Sequence, residues 1–182
     1  MGIEVERAEG VWLHGPGGER YLDLISGISV SNLGHGHPAV KTAVTHQMDQ
    51  YAHLMVYGEY VQSPQVRYAQ LLTEQLPDSL NSVYFVNSGS EANEGAIKLA
   101  KRVTGRMEVV AFHKAYHGST HGVLSIIGEE SFRRNYRPLV PGARFLHYNQ
   151  HEELAKITEK TACVIAETVQ AEAGVRPPDT EW

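Results

Sequence analysis

The sequence predicts an α/β fold built on a mostly parallel sheet, and three observations carry that prediction. Val83-Tyr84-Phe85-Val86 is an apolar run rich in β-branched and aromatic residues, the signature of a buried strand. Asn87-Ser88-Gly89-Ser90 interrupts it, and Glu91 to Arg102 continues with Ala92, Ala96, Leu99 and Ala100 at helical spacing. Glu108 to His113 then reads as a second strand. Strand, helix and strand within about 30 residues form a βαβ unit, which implies parallel pairing.

The other elements follow in chain order. Gly10 to His14 and Arg20 to Leu24 flank Gly15-Pro16-Gly17-Gly18, a hairpin signal. Pro38 suits the first position of a helix to about Tyr51, with Ala39, Val40, Ala43, Val44 and Gln47 as its inner stripe. Ser63-Pro64 caps another helix to about Leu76, with Val66, Ala69, Leu71 and Leu72 inside, and Pro77-Asp78 ends it. Gly122 to Gly128 and Ala143 to Tyr148 are shorter apolar pieces around the basic loop Arg133-Arg134-Asn135-Tyr136-Arg137. His151 to Lys160 reads as a polar surface helix, and Ala162 to Val169 as another buried strand.

Composition narrows the function classes. With 182 residues, 42% hydrophobic and 20% charged, the chain has the make-up of a globular protein with a real core. A net charge of −5 without a basic block argues against a nucleic-acid or polybasic membrane surface. No apolar run is long enough to span a bilayer and the polar start is not a signal peptide, so a cytoplasmic protein is expected. The single Cys163, inside the apolar run Ala162 to Ala166, is expected to be a small core residue.

Several residues invite chemistry. The turn Asn87 to Ser90 before a helix aims free backbone N–H groups at one point, a ready anion site. Ser90 and Asn93 offer caps, and Glu91 and Glu94 place acids in the first turn, where the helix dipole favours them. His113, His117 and His121 lie four apart, which on one helical face would suit zinc. The strand-like run ending at His113 and the helix-breaking Gly118 oppose a shared face, so histidines packed at a strand end are expected. A metal-dependent hydrolase using these three is the reading from another class. His35 and His37, beside glycines, are expected to be turn residues with satisfied ring nitrogens rather than ligands. Glu167 and Glu172, at the end of a strand, read either as paired carboxylates for acid–base work or as solvated loop acids.

The strings themselves say more. Asn87-Ser88-Gly89-Ser90-Glu91-Ala92-Asn93-Glu94 with Ile97-Lys98-Leu99-Ala100 resembles the phosphate-cup segment of the class III (ω-amino acid) aminotransferases, enzymes of fold type I that depend on pyridoxal phosphate. Asn32-Leu33-Gly34-His35-Gly36-His37-Pro38, Tyr116-His117-Gly118 and Glu167-Thr168-Val169-Gln170-Ala171-Glu172-Ala173-Gly174 match further family segments in family order. The last departs from the family's Glu-Pro-x-Gln-Gly-Glu-x-Gly at Thr168 and Ala171.

The resemblance implies an N-terminal arm and first helix over residues 1–50, and the first part of a large cofactor-binding domain over 51–182. It implies a cofactor held by Ser88, Gly89 and Ser90 at its phosphate, by the Tyr116 ring against its pyridine face, and by His117 and Glu167 nearby. Ile28, Ser119 and Glu172 fall at substrate positions, Glu172 where the family's glutamate pairs with a mobile arginine. The lysine that carries the cofactor and the aspartate that pairs with its ring nitrogen match no position here. No catalytic residue is therefore expected among these 182, and the chain reads as the N-terminal portion of a longer enzyme.

The implied reaction moves an amino group from an ω-amino acid or other primary amine to a 2-oxo acid, in a homodimer. A pyridoxal-phosphate-dependent decarboxylase or aminomutase shares the same fold and cup. Relatives acting on N-acetylornithine or 4-aminobutyrate carry arginine where Ser119 stands, and ornithine-specific ones carry tyrosine at the place of Ile28. Both departures point to donors whose carboxylate is bound elsewhere or missing.

Overall fold

The computed structural model describes residues 2–182, which divide into two compact units, one up to Leu80 and one from Asn81 to Trp182. In the first unit the expected hairpin forms: β2 (Trp12–His14) pairs antiparallel with β3 (Arg20–Leu22), and β1 (Arg7–Glu9) adds on the other side of β2. The hairpin turn is closed by Glu19, whose carboxylate accepts from the Gly17 N–H at 2.9 Å.

A short turn, α1 (Ser26–Ser29), follows with left-handed dihedrals throughout: φ is 51° at Ser26, 62° at Gly27, 60° at Ile28 and 61° at Ser29. Such a turn costs roughly 1–2 kcal/mol for each L-residue. Asp23 offsets part of this, its carboxylate accepting from the N–H groups of Ile25 (3.0 Å) and Ser26 (2.8 Å) and bonding His35 Nε2 at 2.7 Å. The same bonds, that to His35 foremost, hold the Asp23 carboxyl below its usual range. His35 is thus satisfied as expected, whereas His37 differs: its buried Nδ1 has no protein partner.

Helices α2 (Pro38–Gln50) and α3 (Ser63–Thr73) form near their expected bounds, with Pro38 and Pro64 in the first turns. Gln62, not Ser63, is the N-cap residue of α3. The stripes expected to face inward differ from the structure. Val40, Val44, Val66 and Leu71 are all exposed, and Gln47, Ala69 and Leu72 are only half-buried. Helical periodicity identifies an apolar face, but nothing within this unit covers these two.

The second unit is a three-stranded parallel sheet of order β5-β4-β6, with β4 (Glu108–Phe112) between β5 (Ala143–Leu146) and β6 (Thr161–Val164). Helix α4 (Gly89–Thr104) packs across β6. The side chains of β4 alternate between two cores. Val109 and Ala111 join Ile97, Val123 and Ile126; Val110 and Phe112 join Ala115, Leu146 and Tyr148. Full burial of a side chain such as Phe112 contributes about 1.5–3 kcal/mol. Cys163 is half-buried against the first of these cores, and burial pushes its thiol pKa up.

Four expectations change here. Val83 to Val86 is not a strand: Tyr84 and Phe85 are exposed, and the run joins no ladder among the described residues, so the first strand of the βαβ unit is missing. A parallel strand exists only where a neighbour supplies its hydrogen bonds. β6 stops at Val164, and the chain to Gln170 is irregular apart from the Ile165 N–H, which still donates to Val110. His151–Lys156 forms a 3-10 helix rather than an α-helix. The apolar piece from Gly122 contains the short helix α5 (His121–Leu124), with α6 (Glu130–Arg133) after it. No helix among the described residues is long and apolar enough to cross a membrane.

Candidate cofactor and substrate site

All three strands of the second sheet run the same way, so the loops leaving them gather at one edge, where parallel α/β sheets bind ligands. The loop after β4 carries Tyr116, His117 and Ser119, and the segment after β6 carries Glu167 and Glu172. The N-terminus of α4 joins the loop after β4 through three residues and four hydrogen bonds. The Ser119 N–H donates to Ser90 Oγ at 2.9 Å, Asn93 Nδ2 donates to the His117 carbonyl at 2.8 Å, and Glu94 accepts from Thr120 Oγ1 at 2.8 Å and from the Val123 N–H at 3.0 Å.

These contacts correct the expected capping. Ser88 is the N-cap, its hydroxyl accepting from the Glu91 N–H at 3.2 Å, and Glu91 reaches back to the Asn87 N–H at 2.7 Å. Ser90 and Asn93 turn away from the cap to hold the Tyr116 loop. Two serines in one turn both suit a cap, and only the position of the second loop separates their tasks.

The contact is close. Gly118 has φ +125°, and a Cβ there would lie 1.9 Å from Ser90 Oγ and 2.9 Å from Ser90 Cα. At Gly89, by contrast, nothing lies within 4 Å of where a Cβ would be, so the first turn of α4 is uncovered on that side.

Behind Tyr116 the structure is fastened in layers. The Tyr116 N–H donates to Glu167 Oε2 at 3.4 Å. Tyr148, at the end of β5, donates its hydroxyl to the carbonyls of Glu167 (3.0 Å) and Thr168 (3.3 Å). Fully buried Gln170 donates from Nε2 to the His113 carbonyl at 3.0 Å, and its backbone pairs with Arg176. Burial raises the Glu167 carboxyl pKa, and the nearby Glu172 charge adds to the rise against the Tyr116 and Ala171 N–H groups. Exposed Glu172 is therefore close enough to act on Glu167. His117 is buried with Nε2 unpartnered among protein atoms, and burial lowers its pKa, which favours the neutral ring.

Ser88, Gly89, Ser90, Tyr116, His117, Ser119, Glu167 and Glu172 thus belong to one unit, on elements that converge. Ile28 belongs to the other, on the strained turn α1, with its side chain exposed. The three histidines do not converge. His113 stacks on His147 with ring centroids 4.4 Å apart, His117 is buried, and His121 bonds the Pro138 carbonyl at 3.0 Å. Among the described residues no cluster of three or more His, Cys, Asp or Glu is placed to hold a metal.

Sequence reasoning did not identify Glu94, Phe132 or Tyr136 as lining or shaping this region. Phe132 and Tyr136 join Tyr116, Gly118, Ser119, His121, Leu124 and Ile127 around a cleft of about 370 Å³. The aromatic residues within the basic loop 133–137 and its flank were the available signal, and their charge masked it.

Comparison with known proteins identifies the family and the fold. An acetylornithine aminotransferase of Archaeoglobus fulgidus is 39% identical over 99% of the chain, which covers 47% of that relative. Among solved structures, adenosylmethionine-8-amino-7-oxononanoate aminotransferase from Methanocaldococcus jannaschii superposes with a TM-score of 0.91 at 29% identity, covering 99% of this chain and 44% of that one. A thermostable (S)-enantioselective omega-transaminase from Thermomicrobium roseum gives 0.88 at 28% identity, covering 100% and 47%. The chain therefore spans about half the length of these relatives. The sequence pattern of the class III aminotransferases matches residues 1–182, and the chain belongs to that family.

Proposed function

We propose that the gene product carrying this chain is a pyridoxal-phosphate-dependent aminotransferase that passes an amino group from an ω-amino acid or other primary amine to a 2-oxo acid. The single observation that carries this reading is the direct fastening of the α4 N-terminus to the Tyr116 loop, through Ser90, Asn93 and Glu94. It supports the reading because it ties the helix N-terminus proposed to take the phosphate to the loop that carries the Tyr116 ring.

The residues fit the cofactor. The N–H groups of Gly89 and Ser90 lie in the first helical turn, where no intrahelical acceptor exists, and the space above Gly89 is open. Ser90 Oγ accepts from Ser119, which leaves its own proton free to donate to a phosphate oxygen. The helix dipole favours the negative charge. The Tyr116 ring is part-exposed and supplies an aromatic face to an electron-poor pyridine. Bound here, pyridoxal phosphate supplies an electrophilic carbonyl that takes up an amino group and later yields it.

This chain's residues contribute binding and orientation. Glu167 accepts from the Tyr116 N–H and steadies that backbone, and burial favours the neutral ring of His117 next in the chain. Glu172, exposed beside Glu167, is free to pair with a substrate-gripping arginine elsewhere in the protein. Ser119 presents a hydroxyl where a carboxylate-gripping relative needs a guanidinium, and Ile28 presents an aliphatic side chain. Both favour a donor other than ornithine or N-acetylornithine. The intact protein is proposed to be a homodimer, with no nucleic-acid or membrane partner.

The test is product analysis with the gene product, pyridoxal phosphate, an amine donor and a 2-oxo acid. Stoichiometric formation of the matching amino acid is the expected result. Carbon dioxide release, or amino-group migration within one molecule, would point to a decarboxylase or an aminomutase instead. Absence of any cofactor uptake would overturn the reading.

A further inference from the structure

The chain leaves β4 through a turn that its own sequence disfavours. Phe112 to Ala115 is closed by the Ala115 N–H, which donates to the Phe112 carbonyl at 3.3 Å. Lys114, the third residue, is left-handed at φ 63°, while His113 is not. A positive φ at that position alone is the type II arrangement, which calls for glycine or asparagine. A lysine is disfavoured there because its Cβ crowds the following carbonyl oxygen. Turning the His113–Lys114 peptide over would give a type I turn, which lysine adopts without strain.

Such a flip would swing the His113 carbonyl away, and Gln170 holds that carbonyl. Gln170 is fully buried, and its Nε2 donates to the His113 oxygen at 3.0 Å. Its backbone is fixed in turn by reciprocal bonds with Arg176, both 2.9 Å. The other end of the amide, Oε1, is buried without a protein partner. A methionine would fill the same space and leave no orphan acceptor, so burial alone does not account for the amide. The ring of His113 is held separately, by the Gly128 carbonyl at 3.3 Å and by the stack on His147. These contacts fix the side chain and leave the carbonyl to Gln170. Glu167, three residues before Gln170, accepts from the Tyr116 N–H at 3.4 Å. The 167–170 segment thus grips the chain on both sides of Lys114.

We propose that Gln170 is a positioning residue for the cofactor ring. Its amide holds the His113–Lys114 peptide against the flip that Lys114 favours, and so sets the loop that carries Tyr116. The inference rests on the aminotransferase reading above and adds to it the residue that orients the Tyr116 loop.

The test compares the gene product with its Gln170→Met variant, its Lys114→Gly variant and the double variant. Methionine keeps the glutamine's volume without donating, and glycine is at ease in the left-handed region. One readout is equilibrium affinity for pyridoxal phosphate, with the visible circular dichroism of the bound cofactor. The other is hydrogen exchange of the Tyr116 amide without cofactor. In Gln170→Met the affinity should fall about ten-fold, the dichroism should diminish, and Tyr116 exchange should quicken by about the same factor. Lys114→Gly alone should behave as wild type, and in the double variant it should restore most of all three. Wild-type values in Gln170→Met, or losses that Lys114→Gly leaves unrestored, overturn the inference and leave the aminotransferase reading standing. If the wild type takes up no pyridoxal phosphate, the aminotransferase reading fails, and Tyr116 exchange alone decides whether Gln170 holds the loop.

Discussion

Replacing Gly118 with alanine probes the joint between the α4 N-terminus and the Tyr116 loop. The new Cβ would sit 1.9 Å from Ser90 Oγ and 2.9 Å from Ser90 Cα, and the second of these is backbone that cannot swing aside. The residue is also held at φ +125°, which costs an L-residue about 1–3 kcal/mol. Relief requires the loop to move away from Ser90, which breaks the Ser119 N–H to Ser90 bond, a further ~1 kcal/mol. The sum is about 2–4 kcal/mol lost from the closed arrangement. Pyridoxal phosphate affinity should therefore fall at least ten-fold, measured by equilibrium titration of the gene product, and the unfolding midpoint should drop. Gly89→Ala is the control for stability: with no atom within 4 Å and a helical position, it should leave the unfolding midpoint nearly unchanged. Wild-type cofactor affinity and stability in Gly118→Ala would refute the claim that this contact organises the site.

Three further outcomes are expected. Glu94→Ala removes the carboxylate that accepts from the buried Val123 N–H and should destabilise by about 1–3 kcal/mol in denaturant titration, with Glu94→Gln closer to wild type because its amide oxygen still accepts. Gln170→Ala empties a fully buried site and orphans the His113 carbonyl, a loss of about 2–4 kcal/mol by the same assay. The two glutamates shifted in opposite directions give opposite pH slopes. Glu167, raised above 4.5 in the folded state, binds more protons folded than unfolded, so its contribution is present below 4.5 and lost as pH rises through its folded value. Glu153, held to about 2 by Lys156 and the His147 N–H, contributes above 4.5 and loses that contribution as pH falls towards 2. Melting curves against pH should show the first slope reduced in Glu167→Gln and the second reduced in Glu153→Gln, with the remainder of the second carried by Asp23 and Glu130, whose carboxyls are also held low.

What was readable in the sequence was mostly local. The turn at Asn87 to Ser90, helix α4 and strand β4 each depend on a few contiguous residues, and the structure forms them near their expected bounds. What depended on partners was less readable. Val83 to Val86 has the composition of a strand but joins no ladder here, and Val40, Val44 and Leu71 have helical spacing without a covering surface. The left-handed turn at Ser26 to Ser29 runs against the preference of Ile28, so propensity gave no hint. Its signals were Gly27 and the carboxylate of Asp23, which accepts from the two N–H groups opening the turn. The bonds from Ser90, Asn93 and Glu94 span about 24 to 29 residues, beyond the reach of any local pattern. Family strings identified the residues that meet there, and the structure supplied the reason they meet.

The central claim is that Ser90 and the open first turn of α4 bind the phosphate of a pyridoxal cofactor. The most direct measurement compares the affinity of the gene product for pyridoxal phosphate and for pyridoxal, in wild type and in Ser90→Ala. The account predicts a strong preference for the phosphorylated form, which Ser90→Ala reduces about ten-fold while pyridoxal binding changes little. Equal affinity for the two forms in the wild type, or equal losses for both in the variant, would contradict it.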